Sequence, residues 1–202
     1  MHRRSILVAL ALVSVVSGCS STKLVTQWEN PQAVPARFSR ILVIGVTQQA
    51  ATRRLFEDAF VAKLRTEGVE AVPSYQLIPE DGQVDEARLQ EAVTRAQADG
   101  VLMTRLLGVE RKTEIAPGYY GPPPVGWGFY PWYTAGWVAF YEPPRVYQYD
   151  VATSETSLYD VRRNQLVWTG TVQTRAPADV VKEIQRYADI VVKALRKEQV
   201  LA

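Results

Sequence analysis

The chain has 202 residues, 47% of them hydrophobic, with 23 Lys and Arg against 21 Asp and Glu, and it holds one His and one Cys. That length suits one domain able to bury a core. His2 and Cys19 both stand at the N-terminal end, so the rest of the chain can form no disulfide, no Cys–His or Ser–His–Asp machinery and no imidazole or thiolate metal site. Catalysis would have to rely on carboxylates, Lys or Tyr, and no cofactor is implied.

The first segment carries Arg3 and Arg4, an apolar run from Ile6 to Val16, and then Val16-Ser17-Gly18-Cys19. This is the n-region, h-region and small-residue cleavage site of an export signal, too short for a permanent membrane span. With a Cys at the cut, it resembles a bacterial lipobox, in which cleavage before the Cys leaves its thiol and amine to carry acyl chains such as palmitate. The resemblance implies a signal peptide over 1–18 and lipidation of Cys19. Loss of Arg3, Arg4 and His2 leaves 21 basic against 21 acidic residues, so the formal +2 falls to zero. A neutral domain offers no footprint for nucleic acid, which needs clustered Lys and Arg.

Residues 19–39 are polar, contain Pro31 and Pro35, and read as a lipidated Cys and tether reaching at most roughly 70 Å, with Trp28 as a residue able to dock on the domain. The domain itself is expected over 40–198. Ile41-Leu42-Val43-Ile44, closed by Gly45, has the pattern of a strand buried on both faces. Gly45 is not followed by G-x-G-x-x-G or a Walker-type Lys, so a nucleotide site is not read there. Phe56, Phe60 and Leu64 place a helix over about 51–67, stopped by Gly68. Val69 to Val72 predicts a short strand ended by Pro73. Asp85 caps a second helix with Leu89, Ala92, Val93 and Ala96, stopping at Gly100. Carboxylate pairs such as Glu57-Asp58 and Asp85-Glu86 read as solvated helix positions. Val101 to Leu107 predicts another buried strand, and strand–helix–strand–helix–strand implies right-handed crossovers and a parallel core.

Tyr147, Tyr149, Val151 and Tyr159 alternate with polar residues, Arg162 to Gln165 turns, and Leu166, Trp168 and Val172 resume the alternation. This predicts an antiparallel hairpin added to the sheet. Pro177 and Asp179 open a final helix with Val181, Ile184, Ala188, Val191 and Leu195 on one face. The expected fold is α/β: a mixed sheet of about five strands, a parallel βαβαβ core plus the hairpin, packed with three helices.

Residues 117–144 fit neither pattern. Of these 28 residues, 7 are Pro, 5 are Gly and 10 are aromatic, and Glu142 is the only charge. Prolines at this density exclude a long helix or a central strand. Extended and turn structure is therefore expected to project from the sheet, between a strand ending near Glu114 and one starting near Arg145. Connectors beyond about 12–15 residues are usually functional or disordered. Three readings stay open: a protein or glycan contact, for which Tyr and Trp are suited; a membrane headgroup contact; or a low-complexity loop. The candidate interaction residues are Tyr119, Tyr120, Trp127, Phe129, Tyr130, Trp132, Tyr133 and Trp137.

Phe38-Ser39-Arg40 running into Ile41-Leu42-Val43-Ile44, together with Ala98-Asp99-Gly100-Val101-Leu102, Ser157-Leu158-Tyr159-Asp160 and Leu166-Val167-Trp168-Thr169-Gly170, resembles periplasmic lipoprotein domains of the CsgG, LpoB and TolB N-terminal type and a family of uncharacterised lipoproteins. The resemblance covers roughly 38–115 and 146–198. It implies a non-enzymatic scaffold or interaction module in the cell envelope, with no catalytic residue to carry over. CsgG-type pores use long alternating hairpins and LpoB-type activators use long linkers, and neither is read in this chain. Ser20, in place of the Asp that favours inner-membrane retention in enteric lipoproteins, points to a periplasm-facing outer-membrane location. The partners implied are the membrane, through the acyl chains, and an envelope protein or peptidoglycan. The alternatives are a peptidoglycan-binding or cell-wall-modifying protein, or a subunit of a homo-oligomeric assembly.

Overall fold

A computed structural model describes residues 22–33, 36–78, 84–116, 126, 128–131, 133–134, 144–175 and 179–202. The parallel core forms where the continuous apolar runs stand. Arg40–Val46 (β2) leads through helix Ala50–Thr66 (α1) to Glu70–Pro73 (β3) and a single 3-10 turn, Ser74–Gln76. Helix Glu86–Ala96 (α2) then returns the chain to Gly100–Ala116 (β4). β2 lies between β3 and β4 and is parallel to both.

The alternate residues of β2 serve two layers. Ile41 and Val43 join Phe60 and Leu64 of α1 and the last helix, Val180–Lys197 (α3), in the main core. Leu42 and Ile44 face a smaller cluster with Ala96 of α2 and Val101. Both faces are therefore covered, which is why the strand shows no alternation. α2 is capped as expected, the Asp85 carboxylate accepting from Arg88 N at 2.9 Å. It stops earlier than expected, at Gln97 in the left-handed region (φ 52). Gly100 opens β4 instead, and a Cβ there would stand 2.9 Å from the Phe38 ring.

Arg145–Asp160 (β5) and Gln165–Arg175 (β6) form the expected hairpin, and α3 starts at Asp179, whose side chain accepts from Lys182 N at 3.2 Å. The sheet has six strands rather than about five, because Thr22–Glu29 (β1), expected as tether, pairs antiparallel with β6 from Thr22↔Thr174 to Glu29↔Trp168. The strand order is β1-β6-β5-β4-β2-β3. Trp28 stays half exposed, so backbone pairing and not its ring holds this segment. The far end also extends past 198: Phe38 N donates to Val200 O at 2.9 Å, Ala202 N to Phe38 O at 3.0 Å, and Leu201 is buried. Helical residues at 129–131 and 133–134 add a fourth helical segment to the three expected. The signal segment 1–18 and Cys19 lie outside the described residues.

β4 and β5 outrun their neighbours. They pair from Gly100↔Asp160 to Ala116↔Arg145, whereas β2 reaches only Arg105 and β6 only Val151. A bulge at Leu106–Gly108 marks where β4 parts from β2. Beyond Glu110↔Val151, where β6 also ends, the two strands continue alone as a ribbon of roughly 20 Å, and the insertion at 117–144 joins its ends. The strands flanking the insertion, expected to end near Glu114 and to start near Arg145, end at Ala116 and start at Arg145, and the apolar run Val101–Leu107 covers only the first part of β4.

Candidate functional site

In open α/β sheets, the crevice outside the carboxyl ends of the parallel strands is the usual ligand position. Here that position is a cleft of about 330 Å³. Gly45 and Val46 at the end of β2, Phe56 of α1, Thr104 to Leu106 of β4, Ala152 and Ser154 of β5, Thr174 of β6, and Val180, Glu183, Ile184 and Tyr187 of α3 line it. A line of three hydroxyls runs along its floor. Thr104 Oγ1 and Thr156 Oγ1 are 2.8 Å apart, and Thr156 Oγ1 and Tyr187 Oη are also 2.8 Å apart. Tyr187 packs edge-on against Phe56 at 5.1 Å and Phe60 at 5.8 Å. Burial pushes its hydroxyl well above the ordinary value, the Thr156 hydrogen bond opposing only in part, so it stays protonated at neutral pH.

The rim is apolar. Val46, Leu106 and Val180 are exposed, Leu106 by 57%, and Val181 lies exposed beside them, although the stripe it belongs to is otherwise buried. The two charged groups at the edge are engaged: Arg105 with Glu155 at 3.0 Å, and Glu183 with Arg186 at 2.8 Å and with the Thr22 hydroxyl.

Behind one wall sits a group that the sequence disguises. Glu57 is 0% exposed and Arg53 2%, and they form an ion pair at 3.0 Å. Glu57 Oε1 also accepts from Gly45 N at 2.9 Å and Ser74 Oγ at 2.7 Å, and Oε2 accepts from Tyr75 N at 2.9 Å. The expectation of a solvated Glu57 is therefore corrected. Its carboxylate ties α1 to the end of β2 and the start of the 3-10 turn, and its four hydrogen bonds offset its desolvation. Asp58 does face outward and accepts from Tyr75 Oη at 2.8 Å. The i, i+4 spacing of Arg53 and Glu57 looks the same for an exposed pair and a buried one, so no local signal separates them.

Of the candidate interaction residues, Phe129, Tyr130 and Tyr133 are described. Phe129 and Tyr130 are 72% and 79% exposed, and Phe129 meets Tyr130 at 5.3 Å and Tyr133 at 6.3 Å between ring centroids. Tyr119, Tyr120, Trp127, Trp132 and Trp137 lie outside the described residues, as does Cys19. The cleft was not anticipated, because its walls come from six elements far apart in sequence. Among the described residues, no three His, Cys, Asp or Glu side chains converge as a metal site, and no helix is long and apolar enough to cross a membrane.

The motifs behind the lipoprotein resemblance are structural. The Asp99 carboxylate accepts from Ser39 N at 2.9 Å, Ser39 Oγ at 2.7 Å and Arg40 N at 2.9 Å, closing the entry to β2. Asp160 accepts from Arg163 N at 3.1 Å in the hairpin turn.

Among solved structures, the chain is similar to the PelC dodecamer of Paraburkholderia phytofirmans, at 13% identity and a TM-score of 0.45, covering 89% of this chain and 97% of that one. The L103M form of the same dodecamer gives 13% identity and a TM-score of 0.46, over 84% and 95% of the two chains. Lipoprotein GNA1162 of Neisseria meningitidis gives 12% identity and 0.41, over 79% and 99%. These likenesses concern the fold alone, and no residue role is taken from them. No curated protein matches the chain. The family model described as "Domain of unknown function (DUF4136)" matches residues 48–197, starting past β2 although β2 is the central parallel strand, and including the cleft helices and the whole arm. With well over half of its length matched, the chain belongs to the DUF4136 family.

Proposed function

We propose that the protein is an envelope lipoprotein, anchored through acyl chains on Cys19 in the outer membrane and facing the periplasm, and that its α/β domain is a non-enzymatic interaction module. The observation that carries this reading is the β4–β5 arm. Two strands outrun both neighbours past Glu110 and Val151 and lead directly into the stretch that holds half of the chain's aromatic residues. Aromatic side chains with polar handles suit a partner surface, and an arm is a means of holding them clear of the body. The near-neutral mature charge and the apolar cleft agree with a binding role.

The test is a cross-linking pull-down from intact cells. It compares the full lipoprotein with a variant in which 117–144 is replaced by a short Gly/Ser turn. Specific envelope partners should disappear with the insertion while the domain stays folded and membrane-bound. An unchanged partner set removes the insertion from the binding role. Recovery of sacculi by the purified full chain alone would favour a glycan ligand. A Cys19→Ala form that remains membrane-bound after a carbonate wash contradicts the lipid anchor.

A further inference from the structure

We infer that the cleft between the ends of β2 and β4 and the start of α3 is the docking site of an acyl chain carried by Cys19 of the same molecule. The inference rests on the lipidation proposed above and adds where one of the chains goes.

Chain length provides the first argument. Thr22, the first residue of β1, is buried, and its hydroxyl bonds to the Glu183 carboxylate and, at 3.2 Å, to Thr174 Oγ1. Glu183 and Thr174 both line the cleft. Only Ser20 and Ser21 separate Thr22 from Cys19, a reach of at most about 10 Å. The tether expected to carry the domain away from its anchor is instead spent in β1, so the lipid attachment point lies at the edge of the cleft. A chain attached to Cys19 therefore starts beside the apolar opening.

Chemistry provides the second argument. The hydroxyls of the floor satisfy one another, and Arg105 and Glu183 are engaged at the edge. Among the described residues, the one buried side-chain N or O atom without a hydrogen-bond partner is Trp168 Nε1, which does not line this cleft. The polar side of the rim, Thr47, Gln49 and Thr52, is hydrogen-bonded within itself, while Val46, Leu106 and Val180 leave apolar surface in water. Shape then selects among apolar occupants. A flat bilayer surface can cover the rim but cannot enter between Phe56, Ile184 and Tyr187, whereas a single hydrocarbon chain can. A bacterial lipoprotein carries more than one chain, and two suffice for stable anchoring, so one is available to fold back.

The experiment uses the full lipoprotein from cells fed a diazirine-bearing fatty acid. The protein is purified in dilute detergent, its Cys19 acylation is read by intact mass, and it is then irradiated and mapped by peptide mass spectrometry. The expected result is cross-links from the Cys19 peptide to the peptides holding Phe56 and Ile184. A Leu106→Asp/Val180→Asp variant, altered only at exposed positions and checked for an unchanged melting temperature, should lower their yield at least fivefold. If intact mass shows Cys19 without acyl chains, the lipidation reading itself fails and takes this inference with it. If Cys19 is acylated but the cross-links go to detergent or scatter over the surface, only the docking fails. Mixing isotope-labelled and unlabelled protein tests the source: cross-links between differently labelled molecules would assign the chain to a neighbour and overturn the same-molecule claim. Equal labelling of the same residues in a Cys19→Ala protein by a photoactivatable phospholipid in phosphatidylethanolamine/phosphatidylglycerol vesicles would assign the cleft to bilayer lipid and overturn it as well.

Discussion

The two ends of the β4–β5 pair are built from the same kinds of residue and behave differently. At the body end, Val101, Leu102 and Leu158 are buried beneath helices on both faces. At the arm end, Val109, Ile115 and Val146 are equally apolar and equally strand-forming, yet stand in water. Strand preference and pairing are thus shared along the whole length, and burial is not. The body is held by its core. The arm is held by the ladder itself and by surface pairs such as Arg111–Asp150 at 3.1 Å, Arg175–Glu114 at 2.9 Å and the Arg175 guanidinium 4.0 Å from the centre of the Tyr149 ring. Exposed pairs contribute little each, which puts the arm at the low-stability end of the molecule. Packing in this domain's core does not account for the apolar side chains kept there.

The largest effect that can break this contrast lies in the body. Glu57→Ala leaves Arg53 buried without its carboxylate and frees Gly45 N and Tyr75 N, and it should cost about 3–5 kcal/mol in urea unfolding. The double change Arg53→Met/Glu57→Leu should recover only the part due to the uncompensated Arg53 charge, because Gly45 N and Tyr75 N remain without their acceptor. If Glu57→Ala cost no more than an arm substitution, the pair would be solvated and the division between body and arm would lose its basis.

The same contrast explains what could be read from the chain. β2, α1, the β5–β6 hairpin and α3 announce themselves through a single period each, because one environment acts along the whole element. β1 does not. Its residues alternate weakly as an edge strand, and its partner, Thr174 for Thr22, is distant in sequence. Glu57 was illegible for a related reason: whether an Arg–Glu pair on a helix faces water or core depends on what the Ser74 turn brings over it. The aromatic insertion was plain from composition, and so were the bounds of the strands that flank it, near Glu114 and Arg145; that these two strands pair with each other beyond β2 and β6 was not, since partners such as Arg111 and Asp150 are distant in sequence. The cleft needed six elements in place before it existed at all.

A smaller effect is expected at the cleft floor. Tyr187→Phe keeps the packing against Phe56 and Phe60 but breaks the hydroxyl chain through Thr156, and it should cost about 1 kcal/mol. A Thr104→Val/Tyr187→Phe pair should cost less than the sum of its parts, since both report on one network. Additive losses would mean that the two ends of the chain are independent.

Acid sensitivity is expected from the turn that joins β5 to β6. Burial by itself raises the Asp160 carboxyl, but the Arg163 guanidinium at 2.7 Å and the backbone N–H groups of Arg163 and Arg162 outweigh it and hold the carboxyl below its ordinary range. The folded value lies under the unfolded one of about 3.9. The stabilisation is therefore fully present above about pH 4 and is lost as pH falls through the folded value. Asp160→Asn should make the acid-side fall in melting temperature shallower while leaving Asp179 and Asp189, also held low, to supply the remaining slope. An unchanged slope would show that the turn carboxylate does not contribute to acid unfolding.

The smallest stability change belongs to the arm, and there its smallness is the test. Ile115 and Val146 are cross-strand partners, and both are exposed. Replacing both with Thr keeps the β-branched shape that suits a strand and removes the apolar surface. The melting temperature should stay close to the parent's, with a change within about 0.5 kcal/mol, while recovery of envelope partners in the pull-down drops. A clear fall in melting temperature would mean that these side chains pack against this molecule's own insertion. The arm would then be an extension of the core, and its apolar residues would need no partner to account for them. Unchanged stability with lost capture is the outcome that makes the arm a binding element, because only an interface would then register the missing methyl groups.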